Sequence, residues 1–352
     1  MKYPLKYLTF EVTRECNLGC LFCYNHWRRD NSKQALSSYS QANKTLKKLF
    51  KIASFEHITF TGGEPFLADG LNELVLDCRM QGKSVTIISN GTTGSESDYK
   101  ILKDLGVSLF ELPLHSDRPE IHDYLTNTSG SFRQVLTSIH SLFKIQAEIV
   151  IVFVLTKKNM DDLKNTLNFA EQLGVKRFML ARFNIGGRGI KHCPELLPTV
   201  NEFRNAFNVA DDFAGSHKMK ITANVCVPFC ILKPGDYSNI RIVSCGTHFS
   251  ERPITIDYEG NVRMCNHSPR VIGNIHRDPM EVIFSSEYVK SWDSSIPVLC
   301  SKCSEWSNCR GGCRAASEQI GLTLHDEDPI IRMTKINRQE EKKESRYAVY
   351  PI

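Results

Sequence analysis

The sequence predicts an α/β protein, in which a partial (β/α)6 TIM-like barrel precedes a small cysteine-rich α+β domain. Short segments rich in β-branched and aromatic residues alternate with longer segments of helical periodicity up to about residue 182, and eight of the thirteen cysteines lie beyond residue 225. Alternation of this kind favours a parallel sheet, because parallel neighbours need a connection of helix length. The 352 residues suffice for one large or two smaller units.

Six strands are predicted, at residues 8–12, 57–60, 84–89, 107–112, 148–155 and 176–182. Between them, apolar residues at three- and four-residue spacing predict four helices, around Leu46, Leu74, Ile139 and Leu167. Gly174 is expected to end the last of these helices. Six strand–helix units are fewer than the eight that close a barrel, so a partial barrel is expected.

The predicted domain organisation rests on a change near residue 190, where the alternation of strands and helices gives way to loops. Residues 1–190 are predicted to form the barrel, and residues 191–240 a bridging region of loops with one helix over 200–213. Residues 241–325 are predicted to form the cysteine-rich domain. Residues 326–352 read as a charged tail, with a solvated helix or a frayed end over 335–346.

Composition excludes several classes of protein. The chain is 41% hydrophobic and 24% charged, which is typical of a folded globular protein. The net charge of +5 is spread along the chain, so no nucleic-acid partner is predicted. The longest apolar run, residues 149–155, is far shorter than the roughly 20 residues of a membrane helix, so no membrane partner is predicted either. The first residues lack a signal-peptide core, which predicts a cytoplasmic location.

The chain contains thirteen cysteines. In a reducing cytosol, clustered cysteines hold metal or perform redox chemistry more often than they form disulfides. Cys78 and Cys193 stand alone and are predicted to be buried thiols that act as small apolar residues. The others fall into two groups, one near the start of the chain and one beyond residue 225.

Cys16, Cys20 and Cys23 form the first group, on the loop after the first predicted strand. Barrel enzymes keep their active sites on the face where strands end. Three soft thiolates on a short loop suit an iron–sulfur cluster, which takes four ligands. A structural zinc ion with His26 as fourth ligand is the alternative, although this cysteine spacing is unusual for zinc.

This loop, with Phe22 before Cys23 and Tyr24 after it, resembles the signature of the radical S-adenosylmethionine (SAM) enzymes. The resemblance implies that Cys16, Cys20 and Cys23 bind a [4Fe–4S] cluster and leave one iron open to the amino and carboxylate groups of SAM. One-electron cleavage of SAM would then release a 5′-deoxyadenosyl radical, which abstracts hydrogen from an unactivated C–H bond. Phe22 and Tyr24 are assigned to the cofactor site on the same basis.

Two more strand ends resemble that family. Gly62, Gly63 and Glu64 follow the second strand, where the family carries its Gly-Gly-Glu-Pro motif. Glycines let the backbone approach a ligand closely, and polar groups here would engage the SAM amino group. Ser89 and Asn90 end the third strand and resemble the segment that contacts the ribose, although Asn-Gly by itself indicates a turn.

The later strand ends supply weaker candidates. Ser116 follows the fourth strand, where related enzymes line the SAM or substrate pocket with Ser or Asp. Arg182 ends the sixth strand and would bind the SAM carboxylate through two hydrogen bonds, while a plain loop with surface arginines fits the sequence equally well. For His122 and Asp123, capping of a helix start and catalysis both remain open. No catalytic residue is assigned.

The second group comprises Cys226, Cys230, Cys245, Cys265, Cys300, Cys303, Cys309 and Cys313. The last four, separated by two, five and three residues, predict a metal site, for which a four-cysteine zinc site is the alternative. A predicted hairpin, with strands over 254–258 and 262–264, turns at Gly260 just before Cys265.

This arrangement resembles the SPASM extension of radical SAM enzymes, which holds two auxiliary [4Fe–4S] clusters. The resemblance assigns cluster I to Cys245, Cys265 and Cys313, with Cys230 or Cys226 as the fourth ligand.

Cluster II is assigned Cys300, Cys303 and Cys309. The family's closing cysteine is missing, since residues 314–352 contain none. Cluster II would therefore use His325 or Asp326, keep an open iron able to bind substrate, or be absent, so one or two auxiliary clusters are expected.

The resemblance implies an enzyme that modifies a peptide or protein, for example by crosslinking. The implied partners are a precursor peptide or protein, a separate leader-recognition protein, and an electron donor such as flavodoxin or ferredoxin. The same chemistry on a small molecule of cofactor or modified-heme biosynthesis is the alternative. A non-catalytic zinc or iron–sulfur protein that only binds a partner is a third hypothesis.

Overall fold

A computed structural model describes residues 2–28, 37–223, 225–248, 250 and 252–332. The strands in these ranges are β1 (Tyr3–Pro4), β2 (Tyr7–Thr13), β3 (Ala53–Ser54), β4 (His57–Gly62), β5 (Ser84–Ile88), β6 (Leu109–Pro113), β7 (Ile149–Leu155), β8 (Arg177–Arg182), β9 (Lys220–Ala223), β10 (Arg241–Ile242), β11 (Ile254–Asp257), β12 (Asn261–Arg263) and β13 (Val271–Asn274). The α-helices are α1 (Tyr39–Ile52), α2 (Leu71–Met80), α3 (Glu96–Asp104), α4 (Pro119–Thr126), α5 (Ser131–Lys144), α6 (Leu163–Gln172), α7 (Cys193–Leu196), α8 (Val200–Ser216), α9 (Met280–Phe284), α10 (Glu287–Ser294), α11 (Trp306–Cys309) and α12 (Arg314–Gln319).

One large sheet organises the molecule, with its strands in the order β10-β9-β8-β7-β6-β5-β4-β2-β11-β12-β13. Pairing is parallel from β10 to β11 and antiparallel in the last two pairs. The six predicted strands are β2, β4, β5, β6, β7 and β8, which are contiguous in the sheet. The predicted α/β class, a partial TIM-like barrel with a C-terminal domain, is confirmed.

One face of the barrel strands forms the core with the helices. Phe10, Phe60, Phe110, Phe153 and Phe178 are at most 1% exposed and occupy the same side of five strands. The Phe10 and Phe60 rings pack edge-on with centroids 5.9 Å apart. Because side chains alternate along a strand, the intervening polar residues point to the opposite face.

The four predicted helices are confirmed as α1, α2, α5 and α6, and the helix expected over 200–213 is α8. Side chains cap several helix starts: the Ser95 hydroxyl accepts from Asp98 N at α3, and the Thr199 hydroxyl accepts from Glu202 N at α8. The periodicity missed α3 and α4, because these short helices bury few residues; α3 buries only Tyr99 and Leu102.

The sheet continues on both sides of the six predicted strands. On one side β9 and β10 extend it beyond residue 190, where a boundary is predicted. On the other side β11 pairs in parallel with β2, with Ile256 opposite Phe10, so the predicted hairpin joins the sheet. The domain boundaries themselves stay predictions.

The first residues assigned to the charged tail are packed into the molecule, since Asp328, Ile330 and Ile331 are 2%, 6% and 3% exposed. The segment 335–346 lies outside the described residues. No helix in the described part of the chain is long and apolar enough to cross a membrane.

Candidate functional site

The ends of β2 and β4 are joined through the backbone. Gly63 N donates to Thr13 O and Glu64 N donates to Glu15 O, each at 2.7 Å. A Cβ on Gly62 would lie 2.1 Å from Thr13 O, and one on Gly63 would lie 1.8 Å from Glu15 O. The start of the cysteine loop therefore approaches Gly62 and Gly63 so closely that neither position has room for a side chain. Their predicted contact with a cofactor stays a prediction.

Glu64 fixes the loop after β5. Its carboxylate is fully buried and accepts from Ser89 Oγ at 2.8 Å, Asn90 N at 2.6 Å and Phe66 N at 3.2 Å. Burial raises the pKa of Glu64 to about 7, and these hydrogen bonds oppose the rise. Asn90 Nδ2 lies 3.8 Å from Cys16 Sγ. The three predicted motifs thus meet at one place, where the Glu64 carboxylate holds Ser89 and Asn90 in position.

The thiols of the cysteine loop share one electrostatic environment. Burial raises the pKa of Cys20, and the neighbouring Cys23 and Cys16 raise it further. Arg28 opposes the rise at all three thiols, and its Nη2 donates to Leu18 O. Sequence reasoning missed Arg28, because a lone basic residue beyond the loop carries no pattern. A nearby cation favours the thiolate form that metal ligation needs.

The aromatic residues beside Cys23 have defined partners. The Phe22 ring meets His115 edge-on with centroids 4.6 Å apart. The Tyr24 ring lies 3.8 Å from His267, and its hydroxyl accepts from Asn266 Nδ2 at 2.7 Å. Tyr24 therefore joins the first cysteine loop to the loop that follows Cys265. Cofactor contacts of Phe22 and Tyr24 stay predictions.

Ser116 and Arg182 are buried and already paired. The Ser116 hydroxyl donates to Asp162 Oδ2 at 2.7 Å. Arg182 forms two bonds with Asp328, at 3.1 and 2.7 Å, and a third with Asn184 Oδ1 at 3.1 Å. The surface-arginine interpretation is wrong for Arg182, which is 4% exposed. SAM contacts of Ser116 and Arg182 stay predictions, and any such contact would compete with these partners.

The capping interpretation is confirmed for Asp123. Its carboxylate accepts from Gly130 N at 2.6 Å and Phe132 N at 2.8 Å, at the start of α5. His122 is buried inside α4, and its Nδ1 accepts from His115 N at 3.2 Å.

The second cysteine group divides into two sets in space. The inner set is Cys226, Cys245, Cys265 and Cys313. Hydrogen bonding to Cys245 and Cys313 raises the pKa of Cys226. The contact between Cys226 and Cys245 in turn lowers the pKa of Cys245 to about 7. Burial raises the pKa of Cys265 to about 11. Cys226, rather than Cys230, therefore lies with the predicted ligands of cluster I.

Arg252 faces the inner set from within the protein. Burial by itself would lower the pKa of Arg252, but the four inner thiols raise it. Its Nε and Nη1 are buried and have no hydrogen-bond partner among the described residues. Buried donors normally have acceptors. The inorganic sulfides of an iron–sulfur cluster would supply those acceptors, and the residues present fit such a group.

The outer set is Cys230, Cys300, Cys303 and Cys309. Burial raises the pKa of Cys230, and Cys309 and Cys303 raise it further. The pKa of Cys300 rises to about 11 through burial and through the three other thiols of this set. Cys230 and Cys303 are exposed, whereas the inner thiols are buried or half-buried. Of the two alternatives for cluster I, Cys230 thus lies with the predicted ligands of cluster II instead, and its ligation stays a prediction.

The non-cysteine candidates for cluster II have other partners. Asp326 accepts from Thr323 N at 2.9 Å and pairs with Arg332 at 2.9 Å, and His325 Nε2 lies 3.4 Å from Ser295 Oγ. Within the described ranges no three His, Cys, Asp or Glu side chains are arranged around a single metal ion. A four-iron cluster has an inorganic core that holds its thiolates further apart than one ion does.

Comparison with known families finds two matches. The Radical SAM superfamily matches residues 10–170, and the SPASM iron–sulfur cluster-binding domain matches residues 245–310. The first match contains the Cys16 loop, and the second contains Cys245, Cys265, Cys300, Cys303 and Cys309.

Three curated relatives span most of this chain. The antilisterial bacteriocin subtilosin biosynthesis protein AlbA of Bacillus subtilis is 28% identical over 325 residues, which cover 89% of this chain and 68% of AlbA. The AdoMet-dependent heme synthase of Oleidesulfovibrio alaskensis is 24% identical, with 92% and 86% covered. The Fe-coproporphyrin III synthase of Methanosarcina barkeri is 24% identical, with 93% and 88% covered.

Solved structures share the fold. Streptococcus suis SuiB bound to S-adenosylmethionine has a TM-score of 0.73 at 15% identity, covering 94% of this chain and 77% of SuiB. SuiB bound to the precursor peptide SuiA has a TM-score of 0.72 at 15% identity, with 94% and 76% covered. anSMEcpe with AdoMet and the Cp18Cys peptide has a TM-score of 0.70 at 17% identity, with 94% and 95% covered.

Proposed function

Because this chain belongs to the radical SAM enzymes that carry a SPASM-type iron–sulfur domain, we propose that it acts on a peptide or protein and installs a post-translational modification such as a crosslink. The similarity to AlbA, which is named for the biosynthesis of a bacteriocin, is the observation that carries this proposal. The shared fold with SuiB in complex with a precursor peptide supports it. A precursor peptide, a leader-recognition protein and an electron donor are the proposed partners.

In this proposal Cys16, Cys20 and Cys23 hold the SAM-binding [4Fe–4S] cluster. When bound and reduced by the electron donor, the cluster would supply the one-electron chemistry that cleaves SAM and allows abstraction of a substrate hydrogen. Arg28 favours the thiolate form of the three ligands. Glu64 keeps Asn90 beside the loop, so the residues that would contact SAM are fixed before it binds.

A small molecule of modified-heme biosynthesis is the second candidate substrate. The chain spans 86% and 88% of the heme synthase and the Fe-coproporphyrin III synthase, but 68% of AlbA. These relatives therefore match this chain in length better than AlbA does.

Co-expression with a short peptide encoded beside the gene tests the proposal. We expect mass spectrometry to show hydrogen loss from the peptide, and we expect 5′-deoxyadenosine in an anaerobic assay of the purified protein with SAM and reductant. The Cys20→Ala variant should produce neither. An unchanged peptide, together with conversion of a modified-heme precursor by the same protein preparation, would instead establish the second candidate.

A further inference from the structure

We propose that Cys230 supplies the fourth thiolate of the outer set, so that this chain holds two auxiliary clusters with four cysteine ligands each. The family's closing cysteine is replaced by one that precedes the rest of the set in sequence. The proposal concerns ligation only, and it holds whether the substrate is a peptide or a small molecule.

Two segments of the chain pack against each other between the inner and the outer set of cysteines. Cys226 and Cys230 are separated by three residues, and so are Cys309 and Cys313. Cys226 lies beside Cys313, while Phe229 N donates to Cys309 Sγ at 3.2 Å. The segments therefore run in opposite directions, and each gives one thiol to the inner set and one to the outer set.

Close packing fixes the two segments against each other. Gly312 has φ +85°, and a Cβ on it would lie 2.6 Å from Pro228 Cγ and 2.4 Å from Asp328 Oδ2. Beyond Pro228 the chain turns, with Ile231 N donating to Pro228 O at 2.8 Å. Cys230 lies within this turn, directly after Phe229, whose N–H donates to Cys309 Sγ.

The surroundings of the outer thiols agree with shared ligation. Cys300 interacts electrostatically with Cys309, Cys230 and Cys303, which places all four thiols in one neighbourhood. Phe229 N, next to Cys230 in the chain, donates to Cys309 Sγ at 3.2 Å, which brings the Cys230 segment to this set. Four thiolates complete the ligand set of a [4Fe–4S] cluster, and no iron is left for substrate there.

Alkylation of the unmodified holoprotein tests the proposal without any substitution. Cys230 and Cys303 are exposed thiols, so both should react with iodoacetamide once the clusters have been removed. In the anaerobic holoprotein we expect both to be protected, as read by peptide mass mapping. Cys193, a half-buried thiol outside both sets, should label equally in the two states. Alkylation of Cys230 in holoprotein that still protects Cys303 would overturn the proposal.

Variants decide which cluster Cys230 serves. In electron paramagnetic resonance (EPR) spectra, Cys230→Ala and Cys303→Ala should change the same auxiliary signal, with loss of at least about one iron in four from that cluster. Cys226→Ala and Cys265→Ala should change the other signal. If Cys230→Ala alters the Cys226 signal, or leaves both signals and the iron content unchanged, the assignment is refuted.

Discussion

Arg252 lies buried beside the inner thiols, and its guanidinium also stacks over Trp292 at 4.7 Å. A positive charge next to an iron–sulfur cluster favours the reduced state, because reduction adds negative charge. We therefore expect Arg252→Met to make the reduction potential of the inner cluster more negative by about 60 mV or more, a tenfold change for a one-electron couple.

Redox titration followed by EPR measures this shift. Arg277→Met, a change at an exposed arginine, is the matched control and should leave both auxiliary potentials in place. Equal potentials in Arg252→Met and the unmodified protein would mean that Arg252 does not face the cluster.

Glu111 lies on β6 between Phe110 and Leu112, both of which are buried in the helix-facing core, so its side chain points to the opposite face of the sheet. Burial raises the pKa of Glu111 from 4.5 to about 7. Between these values the folded protein retains a proton that the unfolded chain has lost. Stability should therefore fall as pH rises from about 4.5 to 7.

Glu111→Gln should make the stability of the folded protein depend less steeply on pH. Anaerobic thermal unfolding from pH 5.5 to 7.5 compares the variant with the unmodified protein, and Glu73→Gln, an exposed site on α2, is the control. Parallel pH profiles for all three proteins would contradict the buried titration of Glu111.

The fixed spacing of Cys16, Cys20 and Cys23 is enough to predict a cluster-binding loop, and short motifs predict the loops near it. Arg28 and Arg252 could not be predicted, because only folding brings them to the thiols. The sequence predicts that Glu64 contacts a ligand, whereas its hydrogen-bond partners in the structure are Ser89, Asn90 and Phe66.

At the scale of elements, a buried ion pair joins β2 to the C-terminal hairpin. Glu11 and Arg263 are each 1% exposed and form an ion pair, and Arg263 Nη1 also donates to Ser268 O at 3.1 Å. Removing one partner leaves a buried charge without compensation. We expect Arg263→Met to lower the free energy of unfolding by about 3–5 kcal/mol.

Anaerobic urea unfolding measures this loss, and Glu11→Gln in the same chain should restore part of it. The exposed pair of Arg177 and Glu148, 3.8 Å apart, is the matched control, for which Arg177→Met should cost less than about 1 kcal/mol. Equal costs for the buried and exposed pairs would contradict the assigned role of Arg263.

Periodicity predicted the six barrel strands and the hairpin, but it missed β9 and β10. These strands have four and two residues, too few for a pattern. The parallel pairing of Ile254 with Leu8 was also beyond prediction, because it joins distant parts of the chain. The sequence alone does not distinguish Cys226 from Cys230 for the same reason, since the Pro228 turn and Gly312 meet only in the folded chain.

At the scale of the whole molecule, the Gln319 side chain connects loops that lie far apart in the sequence. The Gln319 side chain donates from Nε2 to Tyr24 O and His267 O, each at 2.9 Å, and accepts from Gly187 N at 3.2 Å. These contacts join the first cysteine loop, the loop after Cys265 and the loop after β8. The loop of Cys16, Cys20 and Cys23 and the loop after Cys265 are therefore held together through one side chain.

EPR spectroscopy of the reduced, oxygen-free protein, with and without added SAM, tests the central claim most directly. We expect a [4Fe–4S] signal that changes when SAM binds, that disappears in Cys20→Ala and that persists in Cys230→Ala. A reduced protein with no such signal, or with one that added SAM leaves unchanged, would contradict the assignment of Cys16, Cys20 and Cys23 to the SAM-binding cluster.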